Sequence, residues 1–182
     1  KSLALVGLPD DQGIIRRFLT ARTEQTRDFP TLSEAGAMLV GPLTERPGPR
    51  DLLTYYGPAR TIPTYSAYQV IQTEKPLPAA VFKDKVVYVG VAMRTALGPA
   101  QKDVFGSPFP GELISGTEIH ATAAANLIAR KWVRRFSFGA ELAVLTLAAV
   151  AASVAVLALA PLAALMVVVG LFFAWILGGY AL

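Results

Sequence analysis

The sequence predicts an α/β fold, a mixed sheet flanked by helices, followed by a transmembrane α-helical hairpin. Two observations predict it. Apolar, β-branched runs alternate with helix-capping motifs over residues 1–135, the pattern of an α/β sandwich. Beyond that stretch, charge stops: all 17 Lys and Arg lie at or before Arg135, and the last ionisable side chain other than Tyr180 is Glu141.

Within residues 1–135, 17 basic groups face 12 acidic ones, spread through the segment. No helix or loop before Arg130 concentrates the excess, which argues for a solvated surface and against a nucleic-acid partner. Residues 142–182 form an uncharged run of 41 residues, and the mean hydropathy of the whole chain is +0.46. Placing one charge at the centre of a bilayer helix costs roughly 2.5–3.5 kcal/mol, so such a run reads as lipid-facing. Cysteine is absent, which excludes a disulfide framework and thiolate metal sites. Lys1 and the apolar C-terminus suggest a segment of a larger protein, with the start of the first domain missing.

Leu3–Leu8 reads as a buried strand closed by Pro9, Asp10 and Asp11, and a polar, irregular stretch around Arg16 and Arg17 follows. Thr31-Leu32-Ser33-Glu34 is a capping box: the Thr hydroxyl accepts from the backbone N–H three residues on, and the Glu side chain reaches back. It opens a helix to about Leu39. Asp51–Tyr56 reads as a strand ended by Gly57-Pro58. Ser66-Ala67-Tyr68-Gln69 repeats the capping pattern and starts a short helix ending before Pro76. Lys85–Val91, with Val86, Val87, Tyr88 and Val89 in succession, is the clearest strand, and its β-branched run predicts burial on both faces. A Gly- and Pro-rich loop covers Gly98–Gly111. Ser115-Gly116-Thr117-Glu118 is a third capping box, opening a helix to about Arg130.

Gly139–Ala160, 22 residues, spans about 33 Å as a helix, matching a hydrocarbon core of roughly 30 Å. Pro161 interrupts the run, and Leu162–Leu182 makes a second span. One continuous helix of 41 residues would be twice as long as the membrane is thick, so two spans are predicted. Ala148, Ala152 and Ala155 suit close approach of the two backbones.

Asp103, Glu118 and the sole histidine, His120, lie near one another in sequence and are the candidate ligand or signalling residues. Glu118 and His120 stand two apart on a helix and face different ways, so they do not ligate one metal ion together. Glu118 also has a structural role as the third residue of its capping box. No catalytic residues, metal or cofactor are predicted: the sequence has no phosphate-cradling glycine loop, nucleophile elbow or histidine pair. Gly90 alone is too little for a dinucleotide fingerprint; Val91–Pro99 lies where an open sheet could bind a small molecule, with a tight turn that holds no ligand as an equal alternative. Arg130, Lys131, Arg134 and Arg135 precede the first span and read as anchors among lipid headgroups.

Five blocks in order carry a family resemblance: Asp10-Asp11-Gln12-Gly13 with Arg16-Arg17; Tyr56-Gly57-Pro58; Lys85-Val86-Val87-Tyr88-Val89-Gly90; Lys102-Asp103-Val104-Phe105 with Pro108; and Gly116-Thr117-Glu118-Ile119-His120-Ala121. Together, over roughly residues 5–135, the chain resembles the CHASE-type sensory domain of the second class, associated with cyclases and histidine kinases. Gln12 interrupts the family's acidic-acidic-Gly turn. The resemblance implies a receptor input module of a bacterial inner-membrane, multi-pass protein, with the soluble domain on the periplasmic side and a cyclase or kinase output domain elsewhere. It implies membrane lipid, an extracytoplasmic ligand or protein, and a second copy or larger membrane complex as partners. The basic cluster before the first span would, by the positive-inside rule, favour the cytoplasm; sequence flanking this chain can set the opposite orientation. The alternative is a membrane-tethered scaffolding subunit with no output enzyme.

Overall fold

A computed structural model describes residues 4–6, 13–19, 28–72, 74–91 and 103–181. Asp10, Asp11, Gln12 and Lys102 of the family blocks, and most of Val91–Pro99, lie outside these residues. The chain divides into two compact units, Lys1–Arg135 and Phe136–Leu182.

Among the described residues, the first unit has helices α1 (Leu32–Met38), α2 (Ala67–Ile71) and α3 (Gly116–Ala129), a 3-10 turn at Ala79–Val81, and strands β1 (Val104–Gly106) and β2 (Leu113–Ser115). The two predicted capping boxes at Thr31 and Ser66 form in full, each side chain and each reciprocal carboxylate or amide in place. Helix α3 ends at Arg130, which takes the left-handed conformation (φ 53°).

The sheet is smaller than the mixed sheet expected. β1 and β2 pair antiparallel, with Phe105 opposite Ile114, and β1 falls inside the stretch read as a loop. The remaining pairing consists of isolated bridges: Leu5 with Thr31 and Ile14 with Gly106 in parallel, Leu52 with Arg17 and with Val133 antiparallel. Leu3–Leu8 thus contributes one bridge within its described part, and Asp51–Tyr56 contributes one residue bridged on both sides rather than a regular strand.

Lys85–Val91 is not a strand. Its segment touches two helices: a Cβ on Gly36 of α1 would lie 1.8 Å from the Tyr88 hydroxyl, and one on Gly90 would lie 2.1 Å from Thr117 Oγ1 of α3. Residues 86–91 make no backbone–backbone hydrogen bond among the described residues. Nor is it buried on both faces: Val86 and Tyr88 turn inward, whereas Val89 is 95% exposed. β-Branching favours an extended backbone, but a ladder needs a neighbour with matching orphan groups.

The core gathers Ile15, Phe18, Ala37, Leu53, Ile114, Ile119, Ala123 and Leu127. Ile119, Ala123 and Leu127 recur at four-residue spacing and form the inward stripe of α3. Ile15 and Phe18 come from the stretch read as polar and irregular; the arginines between them obscure an apolar pair.

The second unit holds α4 (Phe138–Ala158) and α5 (Pro161–Ala181), separated at Leu159 and Ala160. Both are apolar and long enough to cross a membrane; 21 residues make about 31 Å. Ala155 and Ala164 are buried, while Ala148 and Ala152 are half-buried, so small residues line the less exposed face of α4.

Candidate functional site

A cavity of about 240 Å³ opens between α1, α3 and the segments around Phe18 and Leu53. The capping box places its polar wall. Thr31 Oγ1 accepts from the Glu34 N–H at 3.2 Å, and Glu34 Oε2 accepts from the Thr31 N–H at 2.7 Å, which fixes the first turn of α1 and turns Ser33 toward α3. Ser33 Oγ and His120 Nδ1 stand 3.1 Å apart, both residues almost wholly buried. Burial lowers the His120 pKa, because an apolar setting disfavours the charged ring. The imidazole is therefore neutral at neutral pH, with one partner of the pair donating according to its tautomer. At the rim, Arg46 Nε lies 3.4 Å from Glu34 Oε1, and Arg17 also lines the cavity.

A serine beside a histidine is half of a nucleophile–base arrangement. The other half is a carboxylate that orients the ring, and among the described residues no carboxylate bonds His120. The Glu34 carboxylate is committed to Thr31 and Arg46.

Of the three sequence candidates, only His120 lines this cavity. The Asp103 carboxylate lies over the first residue of α3, where a Cβ on Gly116 would meet its Oδ1 at 2.1 Å, and burial raises its pKa. The third capping box is only half built: Ser115 Oγ accepts from the Glu118 N–H, but the Glu118 carboxylate accepts instead from the Arg60 N–H at 2.7 Å. With Glu112, which accepts from the Ala59 N–H, it holds the turn after Tyr56-Gly57-Pro58, where Arg60 takes φ 69°. The same carboxylate, after burial, helps push the Tyr55 hydroxyl up to about 12. Among the described residues, no group of three or more His, Asp and Glu is placed to hold a metal ion.

Sequence reasoning missed Ser33, Glu34, Arg46 and Arg17 as cavity residues, and Asn126 as a tie. Asn126 is fully buried; its Oδ1 accepts from the Thr54 N–H at 2.7 Å and its Nδ2 donates to the Thr54 carbonyl at 3.0 Å. A lone amide beside the stripe Ile119-Ala123-Leu127 was the available signal.

A family model described as the CHASE2 domain matches residues 2–159. The chain belongs to the CHASE2 family. CHASE2 domains are extracellular, non-catalytic sensory domains found in signalling receptors. Neither curated proteins nor solved structures give a match.

In this CHASE2 sensor the matched span includes α4. The eight residues between α3 and α4 begin as a clamped segment. Asp51 Oδ2 accepts from Trp132 Nε1 at 3.1 Å, and Asp51 Oδ1 accepts from the Arg135 N–H at 3.1 Å. Leu52 and Val133 exchange backbone hydrogen bonds of 2.9 and 3.0 Å. Of the four residues read as lipid anchors, Arg130 caps α3 and Lys131 donates its backbone N–H to the Asn126 carbonyl. Arg134 pairs with Glu45 and lies over the Trp132 ring, and Arg135 meets Asp51 through its backbone.

Proposed function

We propose that this chain is the extracytoplasmic sensor module of a bacterial signal-transduction receptor, held in the inner membrane by an α4–α5 hairpin, that transmits to a cyclase or kinase output domain. One observation carries the reading: α3, which walls the cavity with Ile119, His120, Ala123 and Leu127, leads into the Asp51-clamped segment just ahead of α4. Occupying the cavity biases α3 and its neighbour Leu53. That bias reaches Val133 through the adjoining Leu52 and the direction of the chain as it enters α4. A ligand acts this way only by binding two arrangements with different affinity. Arg130, Lys131, Arg134 and Arg135 are read as anchors among headgroups, and receptor logic favours a second copy.

The test joins a reporter kinase after residue 182 and measures output per inserted receptor. Ala123→Phe, which fills the cavity, and Asp51→Ala, which opens the clamp, are each expected to shift output about fivefold or more, the lower range of allosteric couplings. Unchanged output in both variants overturns the relay. A second reading, a membrane-tethered docking subunit, is favoured by the unladdered Lys85–Val91 segment with its exposed Val87, Val89 and Val91; it requires that same unchanged output.

A further inference from the structure

Resting on the sensor reading, we propose that the cavity between α1 and α3 binds a small uncharged molecule, one hydroxyl on an apolar body about the size of a single ring, with the hydroxyl bonded to His120 Nε2. Three observations lead there.

The first is an open hydrogen-bonding position. His120 is only 4% exposed and lines the cavity. Its Nδ1 meets Ser33 Oγ at 3.1 Å, and among the described residues this is the one hydrogen bond of the ring. Nε2 has no partner. Were it sealed inside the protein it would be an unsatisfied buried nitrogen, and the described residues hold none. Nε2 therefore faces accessible space, and the space that His120 lines is the cavity. A polar atom placed this way is satisfied by what enters.

The second is the rest of the wall. Phe18, Leu53, Ile119, Ala123 and Leu127 make up its apolar part, and Ala123, one helical turn beyond His120, offers only a methyl group. An ordered water needs about two to four polar partners. Along these side chains it finds none, so an apolar body gains by displacing it. At about 240 Å³ the cavity exceeds the roughly 150 Å³ that holds benzene and falls short of the roughly 300–1,000 Å³ of drug-sized sites. One ring and one small polar group fill it.

The third is charge. Glu34 and Arg46 pair with one another at the rim, Glu34 also accepts from the Thr31 N–H, and Arg17 has a partner of its own. Burial lowers the His120 pKa, so the neutral imidazole offers an ion no countercharge. An ion would give up its water here without a charged partner in return. A hydroxyl avoids that cost and fits either tautomer of the ring: it donates where Nε2 is bare and accepts where Nε2 carries the proton. A carbonyl serves only the second case.

Calorimetric titration of the full chain in zwitterionic-lipid nanodiscs, with the heats from empty nanodiscs subtracted, tests it with phenol, toluene and benzoate. Phenol is expected to bind saturably, and benzoate at least tenfold more weakly. His120→Phe, which keeps a ring and removes its nitrogens, is expected to weaken phenol at least fivefold, about 1 kcal/mol, and to leave toluene within about twofold. Ala123→Phe is expected to abolish phenol binding. Absence of phenol binding, benzoate bound as tightly as phenol, equal effects of His120→Phe on phenol and toluene, or phenol binding that survives Ala123→Phe overturns the proposal. Should a variant fail to fold, the unsubstituted chain decides, because it has one histidine. In its imidazole nitrogen-15 spectrum Nε2 is expected to shift further with phenol than with toluene, and equal shifts count against the proposal. The reporter fusion separates the two readings. Phenol binding without a change in output sinks the relay and spares the ligand class. Altered output in Ala123→Phe without phenol binding to the unsubstituted chain sinks the ligand class and spares the relay.

Discussion

Asn126 shows how much one side chain carries in this domain. Its amide satisfies both backbone groups of Thr54, and so fixes the Leu52–Leu53 segment, one residue of which bridges Val133 while the other lines the cavity. Asn126→Ala leaves an N–H and a carbonyl without partners in a part-buried setting, each costing about 1–3 kcal/mol. The expected loss is about 2–4 kcal/mol, read as a shift of the denaturant midpoint followed by Trp132 fluorescence. A shift under about 0.5 kcal/mol, the ordinary effect of a surface change, would show that the tie is dispensable. At this scale the sequence was half legible. His120 was visible as the only histidine, but its partner Ser33 was hidden inside a capping motif, where a hydroxyl needs no further explanation. Glu118 was read as a cap from spacing alone; spacing cannot reveal that the Arg60 N–H, 58 positions away in the chain, takes the carboxylate instead.

At the scale of elements, local signals read well and pairing did not. The helices at Thr31, Ser66 and Ser115 start where a hydroxyl precedes them, because a cap is a contact between residues three apart. The Lys85–Val91 segment misled because ladder formation depends on a neighbour with matching backbone groups, and no described strand pairs with it. Its fit against α1 depends on Gly36. Alanine is worth about 1 kcal/mol over glycine in a helix interior, yet a Cβ there meets the Tyr88 hydroxyl, which donates to the Leu32 carbonyl at 3.3 Å. Gly36→Ala is therefore expected to stabilise a Tyr88→Ala background by up to about 1 kcal/mol. In the presence of Tyr88 the gain is offset by displacement of the ring. A double-mutant cycle measures the difference; the same effect in both backgrounds would mean that ring and helix do not touch.

For the molecule as a whole, the division at Arg135 and Phe136 falls at the last basic residue of the sequence, and a charge in lipid is costly enough for a helix that could span a membrane to be read from composition. The side of the membrane is not written there in the same way, and labelling reads it. The chain has no cysteine, so single introduced thiols report cleanly. Tyr68 and Val156 have similar exposure, 67% and 61%, but only the first is expected to meet water. In intact cells a membrane-impermeant maleimide should label Tyr68→Cys and spare Val156→Cys. Labelling of Val156→Cys would remove α4 from the bilayer, and protection of Tyr68→Cys until lysis would place the sensor inside the cell. The unladdered segment beside α1 has its own consequence for how this molecule reports on itself. Among the described residues the amides of Val86 to Val91 have no acceptor, so deuterium enters them as freely as it enters a loop, although Tyr88 and Gly90 pin the segment in place. An isotope-exchange map would score this stretch as loose, and slowing of exchange there would mark the arrival of a partner strand rather than a gain in rigidity.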